Sequence, residues 1–312
     1  MKPWWSWWVG LAATGVGLGA NPAAPDSSAA PVRVRVAAIS FVPVKLALEQ
    51  NAARLEQRFR EAAAGGAKLI VAPEGALDGY AINEVLALQT PLEQLRDAAI
   101  AIDHPLIQRF QALAQALEAC LVFGFSERLG DELYNTAVFI DHAGVIRGKY
   151  HKMQFAEGYH PSWWFNRLGR QSRAFDTPFG RCGILICNDR WNADLARIPA
   201  LDGAQFLVIP AYGSSSKAQD EAVLGRARET GLPIVEANVG VSLIVSAGEP
   251  VALQRAPEAI TYGEIIVPPA AEIQVAARDA AERSFLAWRA GEMHRRYAEK
   301  RHRWQPAPDG PR

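Results

Sequence analysis

Three residues stand where their types could do chemistry together. The run Gly183–Ile186 reads as a buried strand, and it delivers Cys187 directly into the polar set Asn188, Asp189 and Arg190. A free cysteine often packs as a small hydrophobe. At the carboxyl end of a strand, it also stands where α/β sheets gather reactive groups. Two other polar residues share that setting: Glu74 closes "LIVAPEG" and Lys152 ends "VIRGKYHK". A thiol with an ordinary pKa of about 8.5 needs a base or a neighbouring cation to act as a nucleophile near neutrality. A carboxylate takes the thiol proton and later gives it to a departing amine. A lysine cation suits the oxyanion that forms when sulfur attacks a carbonyl or nitrile carbon, and the backbone N–H of Asn188 offers a second donor.

The remaining cysteines and histidines add no competing site. Cys120, Cys182 and Cys187 make an odd count, which leaves a thiol outside any disulfide framework. Cys182 and Cys187 would lie roughly 16 Å apart on one strand, well beyond the ~7 Å reach of a disulfide. Their odd spacing sends them to opposite faces, so they cannot share a metal. No other Cys or His spacing suits a metal either. His151 neighbours Lys152, but adjacent strand residues face opposite ways, and no papain-type setting surrounds Cys187. The other histidines fall in loops or the tail and read as surface residues.

The elements that must position these groups alternate between two periods. Residues 32–41, 67–75 and 120–127 read as strands. Leu48, Leu55, Phe59 and Ala62 mark a helix ended by Gly65 and Gly66, and Leu106, Phe110, Leu113 and Leu117 mark another. Two strands flank a turn at Gly144, and a hairpin turns at residues 178–180. A helical piece near 192–202, the strand "AQFLVIP", a helix at 217–230 and the strand "LPIVEANVG" follow. The hairpin "SLIVSAGEPVAL" and the strand "EIIVPP" complete the pattern. Alternation with interspersed hairpins predicts an α/β sandwich carrying a mixed sheet, in one domain over 32–269.

Both flanks differ from that body. Residues 1–31 hold one early lysine, an apolar run rich in small residues and tryptophans, and a loop-like linker; this layout predicts a secretory signal and export, with an uncleaved membrane anchor as the alternative. Residues 270–312 predict a charged helical tail, with Phe285, Trp288 and Met293 docking on the body or on a second subunit. The 33 basic and 33 acidic residues balance, which gives no footprint for nucleic acid. The aromatic loop 161–171 offers Trp163 and Trp164 as walls of a substrate pocket or as packing at an interface.

"VAPEGALDGY", "GKYHKMQFAEGYHP" and "RCGILICNDRW" resemble the Glu, Lys and Cys motifs of the nitrilase superfamily, the carbon–nitrogen hydrolases. They occur in that family's order, and the likeness extends over residues 33–269. The resemblance implies an αββα four-layer sandwich, with Glu74 as general base and acid, Lys152 as oxyanion stabiliser and Cys187 as the nucleophile that forms a thioester. It implies no metal or organic cofactor, a homo-oligomer, and Glu157 as a second glutamate that positions the lysine or the substrate. "CNDRW" is nearer to amidases that cleave N-carbamoyl amino acids than to true nitrilases. In those amidases two arginines hold the substrate carboxylate. Only Arg190 matches, because Trp191 follows it, so Arg190 is either an anchor or the partner of Asp189. The implied activity is hydrolysis of a small amide or N-carbamoyl compound. Nitrile hydrolysis, acyl transfer to an amine and a non-catalytic binding scaffold are the alternatives.

Overall fold

The computed structural model describes residues 32–301. The leader-like segment, its linker and the final residues of the tail lie outside the described residues.

The first sheet is built from β1 (Val32–Ser40), β2 (Leu69–Val71), β3 (Cys120–Leu129), β4 (Glu132–Ile140) and β5 (Ile146–His151). The second is built from β6 (Phe175–Thr177), β7 (Gly180–Ile184), β8 (Phe206–Ala211), β9 (Ile234–Asn238), β10 (Val241–Ser246) and β11 (Glu249–Gln254). The last strand, β12 (Ala259–Val267), returns to pair with β1. The spatial orders are β12-β1-β2-β3-β4-β5 and β11-β10-β9-β8-β7-β6. In each sheet the three central strands run parallel and the outer pairings are antiparallel.

Seven helices complete the described fold: α1 (Leu48–Ala64), α2 (Ile82–Leu86), α3 (Leu92–Ala98), α4 (Pro105–Leu117), α5 (Ala193–Leu201), α6 (Lys217–Thr230) and α7 (Val275–Lys300). Alternation along the strands decides the layers. On β1, Val34, Val36 and Ala38 face the second sheet, while Ala37 and Ile39 meet α1 and α4. Leu195, Ile198, Val223 and Ala227 of α5 and α6 cover the second sheet. The result is the four-layer α-β-β-α sandwich.

Two features depart from the sequence reading. The segment 82–98 holds two short helices, α2 and α3, that no clear apolar period announces. The strand read as running into Cys187 stops earlier, at Ile184. Cys182 remains on it, fully buried between the sheets. Cys187 instead opens a 3-10 turn, Cys187–Trp191.

Candidate active site

Glu74 follows β2 by three residues and is held by backbone bonds to both sheets. Gly124 N–H donates to Pro73 O at 3.0 Å, and Glu74 N–H donates to Ala211 O of β8 at 3.3 Å. Gly124 lets this loop lie close: a Cβ there would sit 2.7 Å from Glu74 Cα. The Glu74 carboxylate is 0% exposed. Its Oε1 accepts from Lys152 Nζ and from Asn135 Nδ2, each at 2.6 Å. Its Oε2 has no hydrogen-bond partner among the described residues. The carboxylate is thus oriented through one oxygen, with the other left to take a proton.

Lys152 emerges just after β5, with its N–H bonded to Asn135 O at 2.9 Å and its carbonyl to Gly169 N at 2.8 Å. Burial alone would lower its pKa, but the charges of Glu74, Cys187 and Glu157 more than offset that and hold it above the ordinary value. Lys152 is therefore a cation at neutral pH. The Tyr80 ring packs against it, 5.1 Å from centroid to Nζ. Glu157 does not touch Lys152. It is buried and accepts from the Tyr80 hydroxyl at 3.2 Å and from Asn166 Nδ2 at 2.8 Å. It supplies negative charge behind the lysine and fixes Tyr80.

Cys187 takes φ +46°, a left-handed conformation that a residue with a Cβ rarely adopts. The turn is stabilised from within. Asp189 Oδ2 accepts from Ile186 N–H and from the Tyr150 hydroxyl, both at 2.9 Å, and Oδ1 accepts from Gln154 N–H at 2.9 Å. One carboxylate thereby ties the cysteine turn to the segment carrying Lys152. Burial pushes Asp189 up to about 6, although Lys152 and these hydrogen bonds pull the other way. Cys187 is 8% exposed, and its thiol donates to Tyr212 O at 3.4 Å. Burial and Glu74 push the thiol up to about 11, against the opposing charges of Lys152 and Arg190. A base is therefore needed to ionise it.

The other residues singled out in the sequence fall in several places. Asn188 is buried and its side-chain amide donates to Gln154 O at 3.3 Å, bracing the turn. Arg190 is not bound to Asp189, nor does it face solvent as a substrate anchor would. It is 1% exposed and forms an ion pair with Glu236 of β9. Asp189 is already occupied by three other donors, and Glu236, a buried carboxyl on β9, is the group that meets the guanidinium. Trp163 is buried among Tyr159, Phe165 and Tyr297, and Trp164 lies under the Arg96 guanidinium at 4.2 Å. Both sit in the apolar cluster behind Tyr80 rather than against the thiol. His151 leaves the site altogether, bonding Glu127 at 2.7 Å and stacking on Tyr134.

Sequence reasoning missed Tyr80, Asn135, Tyr150 and Glu236. Asn135 and Glu236 carried a signal, because a polar residue inside an apolar strand must be partnered when buried. Tyr80 and Tyr150 carried none. The tail contributes too. On α7, Phe285 and Met293 are buried, whereas Trp288 is 45% exposed. Tyr159 N–H donates to Met293 O at 3.1 Å, Phe155 N–H to Met293 Sδ at 3.4 Å, and Arg289 reaches Gly169 O at 2.5 Å. The helix therefore clamps the segment between Lys152 and the aromatic loop. Gly158, at φ +84°, fits there because a Cβ would strike the α7 backbone at Tyr297.

A family model for carbon–nitrogen hydrolases matches residues 35–268. The chain belongs to the carbon–nitrogen hydrolase family. Among curated relatives of this carbon–nitrogen hydrolase, a citrullinase from Francisella tularensis is 30% identical over 219 residues, covering 66% of this chain and 73% of the relative. An N-carbamoylputrescine amidase from Arabidopsis thaliana is 30% identical over 255 residues, covering 77% and 81%. An amidase from Nesterenkonia sp. shares the fold with a TM-score of 0.63 at 21% identity, covering 75% of this chain and 90% of its own. The family shows this chain to be a carbon–nitrogen hydrolase, and its relatives include amidases and carbamoyl-cleaving enzymes.

Proposed function

We propose that this carbon–nitrogen hydrolase cleaves a small amide or N-carbamoyl compound through a thioester on Cys187, with Glu74, Lys152 and Cys187 as its catalytic residues. One observation carries the reading: Glu74 gives one oxygen to Lys152 and Asn135 and keeps the other unbonded among the described residues, and the Cys187 thiol lies within the field of both charges.

The steps follow from these positions. The Cys187 proton passes to Glu74 Oε2, and the sulfur adds to the substrate carbon. The oxyanion is met by the Lys152 ammonium and the Asn188 N–H. As the tetrahedral centre collapses, Glu74 returns the proton to the departing nitrogen, and ammonia or an amine leaves. A water deprotonated by Glu74 then adds to the thioester and releases the acid with the thiol restored. None of these steps calls on a metal ion or organic cofactor.

The relatives named citrullinase and N-carbamoylputrescine amidase support a carbamoyl or amide substrate. A panel of amides, N-carbamoyl compounds and nitriles, scored for ammonia release, tests this. Wild-type turnover that Cys187→Ala abolishes is expected; equal inertness of the two folded proteins on the whole panel overturns it. Added amines that divert the product would instead favour acyl transfer. We further propose that residues 1–31 direct export and that the chain self-associates. N-terminal sequencing and light scattering test these, and an intact Met1 on soluble cytosolic protein, or a monomer, would count against them.

A further inference from the structure

Arg190 occupies a place that ordinary packing does not require. Its guanidinium Nη2 lies 3.8 Å from Cys187 Sγ, the only side-chain donor to that sulfur among the described residues. Its Nη1 meets Glu236 Oε1, and Glu236 Oε2 accepts from Gln219 Nε2 at 2.7 Å. Gln219 Oε1 accepts from Asn238 Nδ2 at 3.0 Å, and Asn238 Oδ1 accepts from Gly213 N–H at 3.1 Å. Gly213 follows Tyr212, whose carbonyl accepts the Cys187 thiol proton. The circuit closes: the sulfur is held from two sides by one polar network, buried except where it passes Tyr212 and Gly213.

We propose that Arg190 is a further catalytic residue, a fixed cation that stabilises the Cys187 thiolate while Glu236 holds it in place. The proposal rests on the hydrolase reading above and deepens it. Lys152 is committed to Glu74, so its charge is largely compensated before the sulfur ionises. Arg190 faces the sulfur from the protein interior, and Glu236 lies on its other arm. An apolar pair of similar volume would stabilise the fold about as well as a buried ion pair, so stability alone does not call for these charges. The groups that act on the thiol are Glu74 and Tyr80 from the segment after β2, Lys152 from the segment after β5, and Arg190 backed by Glu236, with Glu157 acting in turn on Lys152 and Tyr80. Of these, Arg190 and Lys152 favour the thiolate, and burial and Glu74 oppose it. An arginine committed to Glu236 and to sulfur is not available to a substrate carboxylate.

The test titrates the thiol in the full chain without turnover. The rate of Cys187 alkylation by iodoacetamide is followed against pH, with the modified residue assigned by mass spectrometry. Arg190→Gln is expected to move the profile upward by about one pH unit, slowing alkylation at pH 7 about tenfold. Glu236→Gln is expected to move it downward, because the countercharge is gone. The double variant Arg190→Met with Glu236→Leu leaves no orphaned buried charge and should fold; its profile should follow Arg190→Gln. A double variant that melts cooperatively with an unmoved profile overturns the proposal, and so does an upward shift in Glu236→Gln. Arg190→Gln should lower kcat/KM equally for carboxylated and uncharged amides; a loss confined to carboxylated ones overturns it in favour of a substrate clamp. Failure of the hydrolase reading would appear separately, as equal inertness of wild type and Cys187→Ala or as hydrolysis surviving in Cys187→Ala.

Discussion

The two sheets are wired alike. Each has three parallel strands at its centre, one antiparallel strand on one flank and two on the other. Matched by wiring, β2 corresponds to β8, and the two strands meet where Glu74 N–H bonds Ala211 O. Yet the reactive groups stand at unmatched places. The first sheet offers Glu74 at the start of a turn beyond β2 and Lys152 on an irregular segment beyond β5, whereas the second offers Cys187 at positive φ in a 3-10 turn beyond β7. The turn is fixed through two of its own side chains, Asp189 reaching Ile186, Tyr150 and Gln154 and Arg190 reaching Glu236 of β9. The lysine segment is fixed from far along the chain, by α7. Similar scaffolds thus hold their groups by different means, one by a strained turn whose own side chains reach neighbouring elements, the other by a helix from far along the chain that clamps the lysine segment.

That contrast can be broken from either side. The largest effect belongs to the reacting groups: Glu74→Gln and Cys187→Ala should each lower kcat by at least about 10³-fold with little change in melting temperature. Steady-state turnover beside a melting curve checks this. Next comes the clamp. Gly158→Ala puts a Cβ into the α7 backbone and should displace the lysine segment by about 1 Å, costing about 10²-fold in kcat. A variant with unchanged kcat would show that the clamp is ornamental. Asp189→Asn acts on the local side and removes an acceptor shared by three donors, so it should destabilise by roughly 2 kcal/mol, read by urea unfolding.

A smaller effect concerns pH. Because the Cys187 thiol is pushed up to about 11, less of it is thiolate at neutrality than in a free cysteine. Its alkylation rate in the wild-type protein should therefore keep rising from pH 7 to pH 9 without a plateau; a plateau below pH 8 would contradict the burial described above. Smallest of all is Trp288→Ala on the exposed side of α7, worth about 1 kcal/mol or less and leaving turnover unchanged. A large loss of turnover there would mean that the helix acts through a partner and not through its buried face.

Much of this was legible in the residues, for physical reasons. Strands of period two and helices of period 3.6 announce themselves, and Glu74, Lys152 and Cys187 stand out because polar groups at apolar strand ends are conspicuous. The conformation of Cys187 was not legible, since a positive φ leaves no mark on a cysteine. Neither was the partner of Arg190. Sequence proximity favoured Asp189, but that carboxylate was claimed by Ile186, Tyr150 and Gln154, and the ion pair formed instead across β9, 46 positions away. The tryptophans of the aromatic loop were ambiguous because large rings suit a pocket wall and a packed cluster equally well. Two helices at 82–98 escaped because they are too short to show a period.

The hydrogen bond from Glu74 N–H to Ala211 O crosses the seam between the sheets, and the apolar layer beneath it is made by residues such as Val36, Val71, Val122, Ile184 and Val208. The base and the nucleophile come from opposite sides of that seam. Its thickness is therefore the gauge of the reaction distance: any shear of one sheet over the other moves sulfur relative to carboxylate. An activity screen over the whole chain should then register aliphatic residues of this layer as if they were reactive groups, although none of them would meet a substrate.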